Sequence, residues 1–138
     1  MRRVFISSPY QPIEGYSTQA NIDLVKVLCK AALDAGYAPF APHLFYPPML
    51  DDGIKAEREK GVAAGVSWLG MADEMWIWNV DGISPGMEEE IHRAGKFSIP
   101  PKLVHMPAAW AGIADRLGRG KKPVAQSSAI EKKEAVGQ

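Results

Sequence analysis

Met75-Trp76-Ile77-Trp78, followed after a short polar stretch by Ser84-Pro85-Gly86-Met87-Glu88-Glu89-Glu90-Ile91-His92-Arg93-Ala94, decides the fold. The first four residues are a bulky apolar run suited to a buried strand, and the second stretch opens as a helix does. Ser84 can cap that helix, and Pro85 suits its first turn, where a missing N–H goes unnoticed. Strand, loop and helix in that order are half of a β-α-β unit. The start of the helix is also a natural anion site, because its unpaired N–H groups and dipole favour negative charge.

Outward from this stretch the same alternation repeats. Residues 3–7 read as a short apolar strand ending in the loop signal Ser8-Pro9-Tyr10. Ser17 or Thr18 can cap a helix whose apolar set Ile22, Val25, Leu28, Cys29, Ala32 and Leu33 has helical spacing, with Gly36 as its stop. A second strand is expected over 37–41 and a proline-broken loop over 43–52. Asp51 or Asp52 would cap a third segment over 54–71, whose Gly61 and Gly65 weaken it and imply close packing on another element. Strand three spans 74–80, the next helix 85–94, strand four 102–105, and a last helix 107–117. Strands separated by helices imply a mainly parallel sheet of four to five strands with helices on both faces. From residue 118 the chain is polar and without apolar period, so the domain is expected to span 1–117 and a disordered tail 118–138.

Composition narrows the function. The 138 residues, 46% hydrophobic, suffice for one core. Lys+Arg and Asp+Glu both number 16, which gives no reason to expect a nucleic acid or an anionic membrane as partner. Basic residues do gather near the end, but a solubilising tail explains them. The lone Cys29 cannot form an internal disulfide and suits a reducing cytoplasm. No apolar stretch reaches membrane-spanning length, and no secretory signal precedes the first strand. His43, His92 and His105 lie on unrelated elements, so no metal site is expected, and no phosphate-binding glycine motif calls for a nucleotide cofactor.

In a parallel sheet, ligands sit beyond the carboxyl ends of the strands. Ser7, Ser8, Pro9, Tyr10, His43, Asp81, Ser84, Gly86 and Met87 all fall on those ends, which points to a small-molecule site. Among the three glutamates, Met87, Ile91 and Ala94 define the buried stripe, so Glu89 points to solvent. Glu90 and Glu88 flank the stripe, Glu90 slightly the closer. All three also make sense as ordinary surface acids favoured by the helix dipole. Trp76 and Trp78 share one strand face and read as core. Arg58 reads as a solvated helix face or a phosphate contact, and Asp73 as a backbone ligand.

The Val4-to-Tyr10 stretch, Ala72-Asp73-Glu74, and Ser84 through Ala94 together resemble the nucleoside 2-deoxyribosyltransferase superfamily, in particular its small phage and bacterial members of unknown function. The likeness covers about residues 3–105, and its most specific part is Gly86, Glu90, Ile91 and Ala94 at the superfamily's Gly-x-x-x-Glu-[Ile/Leu]-x-x-Ala spacing. It implies a single Rossmann-like α/β domain, a homodimer or higher homo-oligomer, and no cofactor. It also implies that Glu90 attacks C1′ of a nucleoside sugar, and that Ser84 contacts a 5′-phosphate, as in the deoxynucleoside monophosphate hydrolases. Two positions depart from the pattern: Gly65 stands where the superfamily has Asp, and Phe5 where it has an orienting Tyr. Tyr10 or His43 would then take over catalytic duties. The expected activity is cleavage of a (deoxy)nucleoside 5′-monophosphate at its N-glycosidic bond, by hydrolysis or transfer. The alternative is a protein that only binds a nucleotide-derived small molecule.

Overall fold

A computed structural model describes residues 1–12, 15–97 and 103–120. Its four strands are β1 (Arg3–Ser7), β2 (Ala38–Phe40), β3 (Glu74–Ile77) and β4 (Leu103–His105). They lie in the order β2-β1-β3-β4, and every pairing is parallel. Between them run α1 (Thr18–Asp34), α2 (Pro42–Phe45), α3 (Lys55–Leu69) and α4 (Pro85–Lys96), and α5 (Ile113–Leu117) follows β4. The protein is thus an α/β domain of Rossmann-like form.

Period-two alternation in the central strands builds a core on each face. Val4, Ile6, Trp76 and Trp78 point to the side of α1 and α5, where Leu24, Leu28, Trp110 and Ile113 meet them. Phe5, Met75 and Ile77 point the other way, onto Leu69 of α3 and Met87 and Ala94 of α4. The two tryptophans are fully buried and make edge-on contacts with Trp110, as expected of core side chains. Asp73 accepts the Arg3 N–H at 2.8 Å, the backbone role expected of it.

Several local expectations are corrected. The buried stripe of α1 is Asn21, Leu24, Val25, Leu28 and Ala32, while Leu33 is exposed. The stripe is rotated because Asn21 is drawn inside to bond the carbonyls of Tyr10 and Gln11 at 3.2 and 3.0 Å. Residues 43–52 are more ordered than a loop. Pro42 opens α2 and Pro47 opens a 3-10 turn (Pro47–Met49), each proline supplying the fixed φ of a first helical position. Neither Asp51 nor Asp52 caps α3; Asp51 closes a tight turn onto Gly53 N–H while Glu57 reaches back to Asp51 N–H. The helix expected over 107–117 is a 3-10 turn (Ala108–Trp110) and α5, separated where Gly112 adopts φ 83°.

The boundary at 117 falls too early. Arg119 is 5% exposed and ion-pairs with Asp81 at 2.7 Å, so the ordered domain runs at least to Gly120. Composition missed this because one buried, fully paired arginine leaves no apolar period. The rest of the proposed tail, 121–138, lies outside the described residues. Among those residues, no helix is long and apolar enough to cross a membrane.

Candidate active site

After β1 the chain crosses to β2 on one side; after β3 it passes to β4 on the other. Between β1 and β3 the loops therefore part, leaving a crevice at the carboxyl ends. A cavity of about 570 Å³ occupies it. Ser8 and Tyr10 come from the loop after β1, His43 from α2, and Ser84, Gly86, Met87 and Glu90 from the start of α4. Seven of the sequence-assigned residues thus share one cavity wall or another.

Glu90 holds its inner end. Ser7 Oγ donates a hydrogen bond of 2.6 Å to Glu90 Oε1. The residue as a whole is only half-buried, yet its carboxyl group is enclosed, and burial pushes it from 4.5 up to about 7 against the opposing pull of the Ser7 hydroxyl. Glu89 behaves as the helix geometry requires, exposed and bonded to Arg93 at 2.6 Å, and Glu88 is exposed. Met87 and Ala94 are buried and Ile91 packs beside them, so the stripe that fixes Glu90's direction is present.

Ser84 caps α4, its Oγ accepting the Met87 N–H at 3.2 Å. The hydroxyl proton remains available to donate. Of the first-turn donors, Pro85 has none, Met87 is capped, and Glu88 N–H returns to the Ser84 carbonyl, leaving Gly86 N–H beside Ser84. A dipole end, one backbone donor and one hydroxyl suit an anionic oxygen.

His43 has its Nε2 at 2.9 Å from the Ser8 carbonyl. A carbonyl can only accept, so Nε2 carries the proton and Nδ1 is the acceptor. Burial lowers the pKa of this imidazole, which favours the neutral ring. Tyr10 lies against it, ring centres 5.0 Å apart, and burial, with the Asp52 charge adding to it, raises the phenol's pKa. Ser8 Oγ is buried and has no hydrogen-bond partner among the described residues, an unmet polar group on the cavity wall.

Two assigned residues stand apart. Asp81 accepts from Trp78 Nε1 at 2.8 Å and from Arg119, both partners lying outside the cavity lining, so its carboxylate is committed elsewhere. Pro9 only carries the chain from Ser8 to Tyr10 and is absent from the lining. Ser7 is also not a lining residue; it acts on the cavity through Glu90.

One wall was only partly foreseen in the sequence, through Arg58, Gly61 and Gly65. Val62, Gly65 and Val66 of α3, with Pro42, Tyr46 and Leu50, close the side opposite α4, and Arg58 is the one cation among the described lining residues. The glycine spacing was the available signal. A Cβ on Gly65 would stand 3.0 Å from Pro42 Cβ, and one on Gly61 3.0 Å from Leu50 Cδ1, the close approach expected of both positions. No group of three or more metal-ligating side chains forms among the described residues.

A family model described as a domain of unknown function, DUF7768, matches residues 2–104. No relative was found among curated proteins. The match takes in β1 to β3, all of α4 and every residue that lines the cavity. Since it spans well over half of the sequence, the chain belongs to the DUF7768 family.

Proposed function

We propose that the protein cleaves the N-glycosidic bond of a (deoxy)nucleoside 5′-monophosphate, with Glu90 as nucleophile. The observation that carries this reading is a single carboxyl group, oriented by Ser7 at 2.6 Å, enclosed at the inner end of a 570 Å³ cavity. Glu90 attacks C1′ as the bond to the base breaks, through an oxocarbenium-like transition state. Water, or a second base, then displaces the glycosyl group from the carboxylate, as in retaining glycosidases. The departing base needs a proton. The Nε2–H of His43 is held by the Ser8 carbonyl, so Tyr10, a protonated phenol in the cavity, is the donor we assign, and its phenolate takes the proton back from the displacing water or incoming base.

The two departures from the deoxyribosyltransferase pattern bear on this reading. Phe5 lacks a hydroxyl, but Ser7 projects from the same face of β1, and its hydroxyl meets Glu90. Ser7 thus takes the orienting duty in place of tyrosine. Gly65 has no such substitute on α3, and Pro42 fills the space an aspartate would need. That favours the second reading, a protein that binds a nucleotide-derived molecule without cleaving it. Incubating the protein with a panel of nucleoside monophosphates and following free base by chromatography decides between them: base release supports the enzyme, and binding without release the second reading. Exposed Trp68 and Met71, at the end of α3 and just after it, offer apolar surface to a second copy, in keeping with a proposed homo-oligomer, and a cytoplasmic setting is proposed with it.

The phosphate makes its own prediction. A 5′-monophosphate is expected to bind more tightly than the matching nucleoside, and Ser84→Ala to erase at least several-fold of that advantage. A hydrogen bond to a charged group contributes about 1.5–3 kcal/mol. Titrating nucleotide and nucleoside against the same variant removes any effect of the lost helix cap. A protein that prefers the nucleoside has no phosphate site at α4.

A further inference from the structure

We infer that Arg119 is a positioning residue for the cavity, joining the loop after β1 to the loop after β3 from a point beyond the family's matched span. Its side chain is 4% exposed, and its guanidinium reaches three elements at once. Nη2 lies 2.7 Å from Asp81 Oδ2, on the loop that leads from β3 to Ser84 and α4, and Nε donates to the same oxygen at 3.0 Å. Nη2 also donates to Asn21 Oδ1 at 2.9 Å. The Asn21 amide in turn holds the carbonyls of Tyr10 and Gln11, two and three residues after Ser8. The guanidinium carbon sits 3.8 Å over the ring of Tyr16, further along the same loop.

These contacts tie together the two walls that meet at the ligand. On one side are Ser8 and Tyr10; on the other are Ser84, Gly86 and Glu90. Arg119 touches neither the cavity nor anything in it, so its influence passes through Asn21 and Asp81. Only a planar, forked cation can pair with the carboxylate, serve the amide and lie flat on the tyrosine together. The backbone completes the arrangement. Gly120 N–H donates to Asp81 Oδ1 at 3.1 Å, and Arg119 N–H donates to the Ala114 carbonyl at 2.8 Å, which anchors the segment on α5.

The inference rests on the cavity being the working site, but its main test does not depend on the reaction. Hydrogen exchange of the full chain, wild type against Arg119→Lys, is the measurement. Amides of Tyr10, Gln11 and residues 79–84 are expected to exchange at least about tenfold faster in the variant, with β1, β3 and the later turns of α1 unchanged. Asn21→Ala breaks only the arm to the first loop and strands no charge. It is expected to speed Tyr10 and Gln11 and spare 79–84, and it serves in place of Arg119→Lys if that variant does not fold. Affinity for deoxyadenosine 5′-monophosphate is expected to fall at least fivefold in both variants. Uniformly faster exchange across all elements would show that Arg119 only holds the fold together, and unchanged loops would overturn the inference outright. Localised loop exchange in a protein that binds no nucleotide would keep the clamp and refute the proposed substrate instead.

Discussion

Glu90→Gln is expected to abolish base release and, at the same time, to make the protein more stable. The first effect follows from losing the attacking oxygen: an amide cannot form the glycosyl ester, so at least about a thousandfold loss is expected. The second follows from the site's electrostatics. Folding raises this carboxyl group from 4.5 to about 7, so between those values the folded protein holds a proton that the unfolded chain has released. Glu90's contribution to stability is therefore intact below 4.5 and is lost as pH climbs through 7, a difference of up to about 3 kcal/mol. Glutamine has no such proton to lose and can still accept the Ser7 hydroxyl. Its gain in melting temperature over wild type should be negligible at pH 4 and greatest at pH 8. A variant less stable than wild type at pH 8, or one still releasing base, would count against the assignment. Glu89→Gln should be silent in both measurements, and an activity loss from Glu88→Gln alone would move the nucleophile two residues.

Ser7→Ala tests the one hydrogen bond that Glu90 receives among the described side chains. That bond favours the ionised carboxylate, so removing it drives the pKa further above 7. A hydrogen bond to a charged group of about 1.5–3 kcal/mol corresponds to roughly one to two pH units. The ascending limb of kcat/KM against pH should shift to alkaline by that amount. The loss is then about five- to fiftyfold at pH 7, shrinking toward pH 9 as more of the nucleophile ionises. A limb that stays in place would mean that Ser7 fills space and nothing more.

The parallel sheet, the helix at Ser84 and the direction of Glu90 were all legible in the sequence, because each rests on local rules. Caps act over three residues, helical stripes over four, and strand alternation over two. What stayed hidden was set by contacts between distant segments. The rotation of α1 follows from a buried asparagine that no hydrophobic pattern registers. Asp81 looked like a ligand residue because it follows a strand, and its partner lies 38 residues away. Arg119 sat in a stretch whose composition reads as disordered. The α3 wall of the cavity was half visible: Gly61 and Gly65 announced a close neighbour without saying that Leu50 and Pro42 were the ones.

The all-parallel pairing also bears on how the chain is made. No two adjacent strands are joined by a hairpin, so each pairing requires a long loop to close before it returns any stabilisation. The bond from Arg3 to Asp73 spans 70 residues, and that from Arg119 to Asn21 spans 98. During synthesis β1 and α1 emerge first and wait, with one edge of β1 unpaired until β3 arrives. Arg119 comes later still. A nascent chain halted just short of it would already contain every residue that lines the cavity, and would still lack the buried cation that draws the walls together.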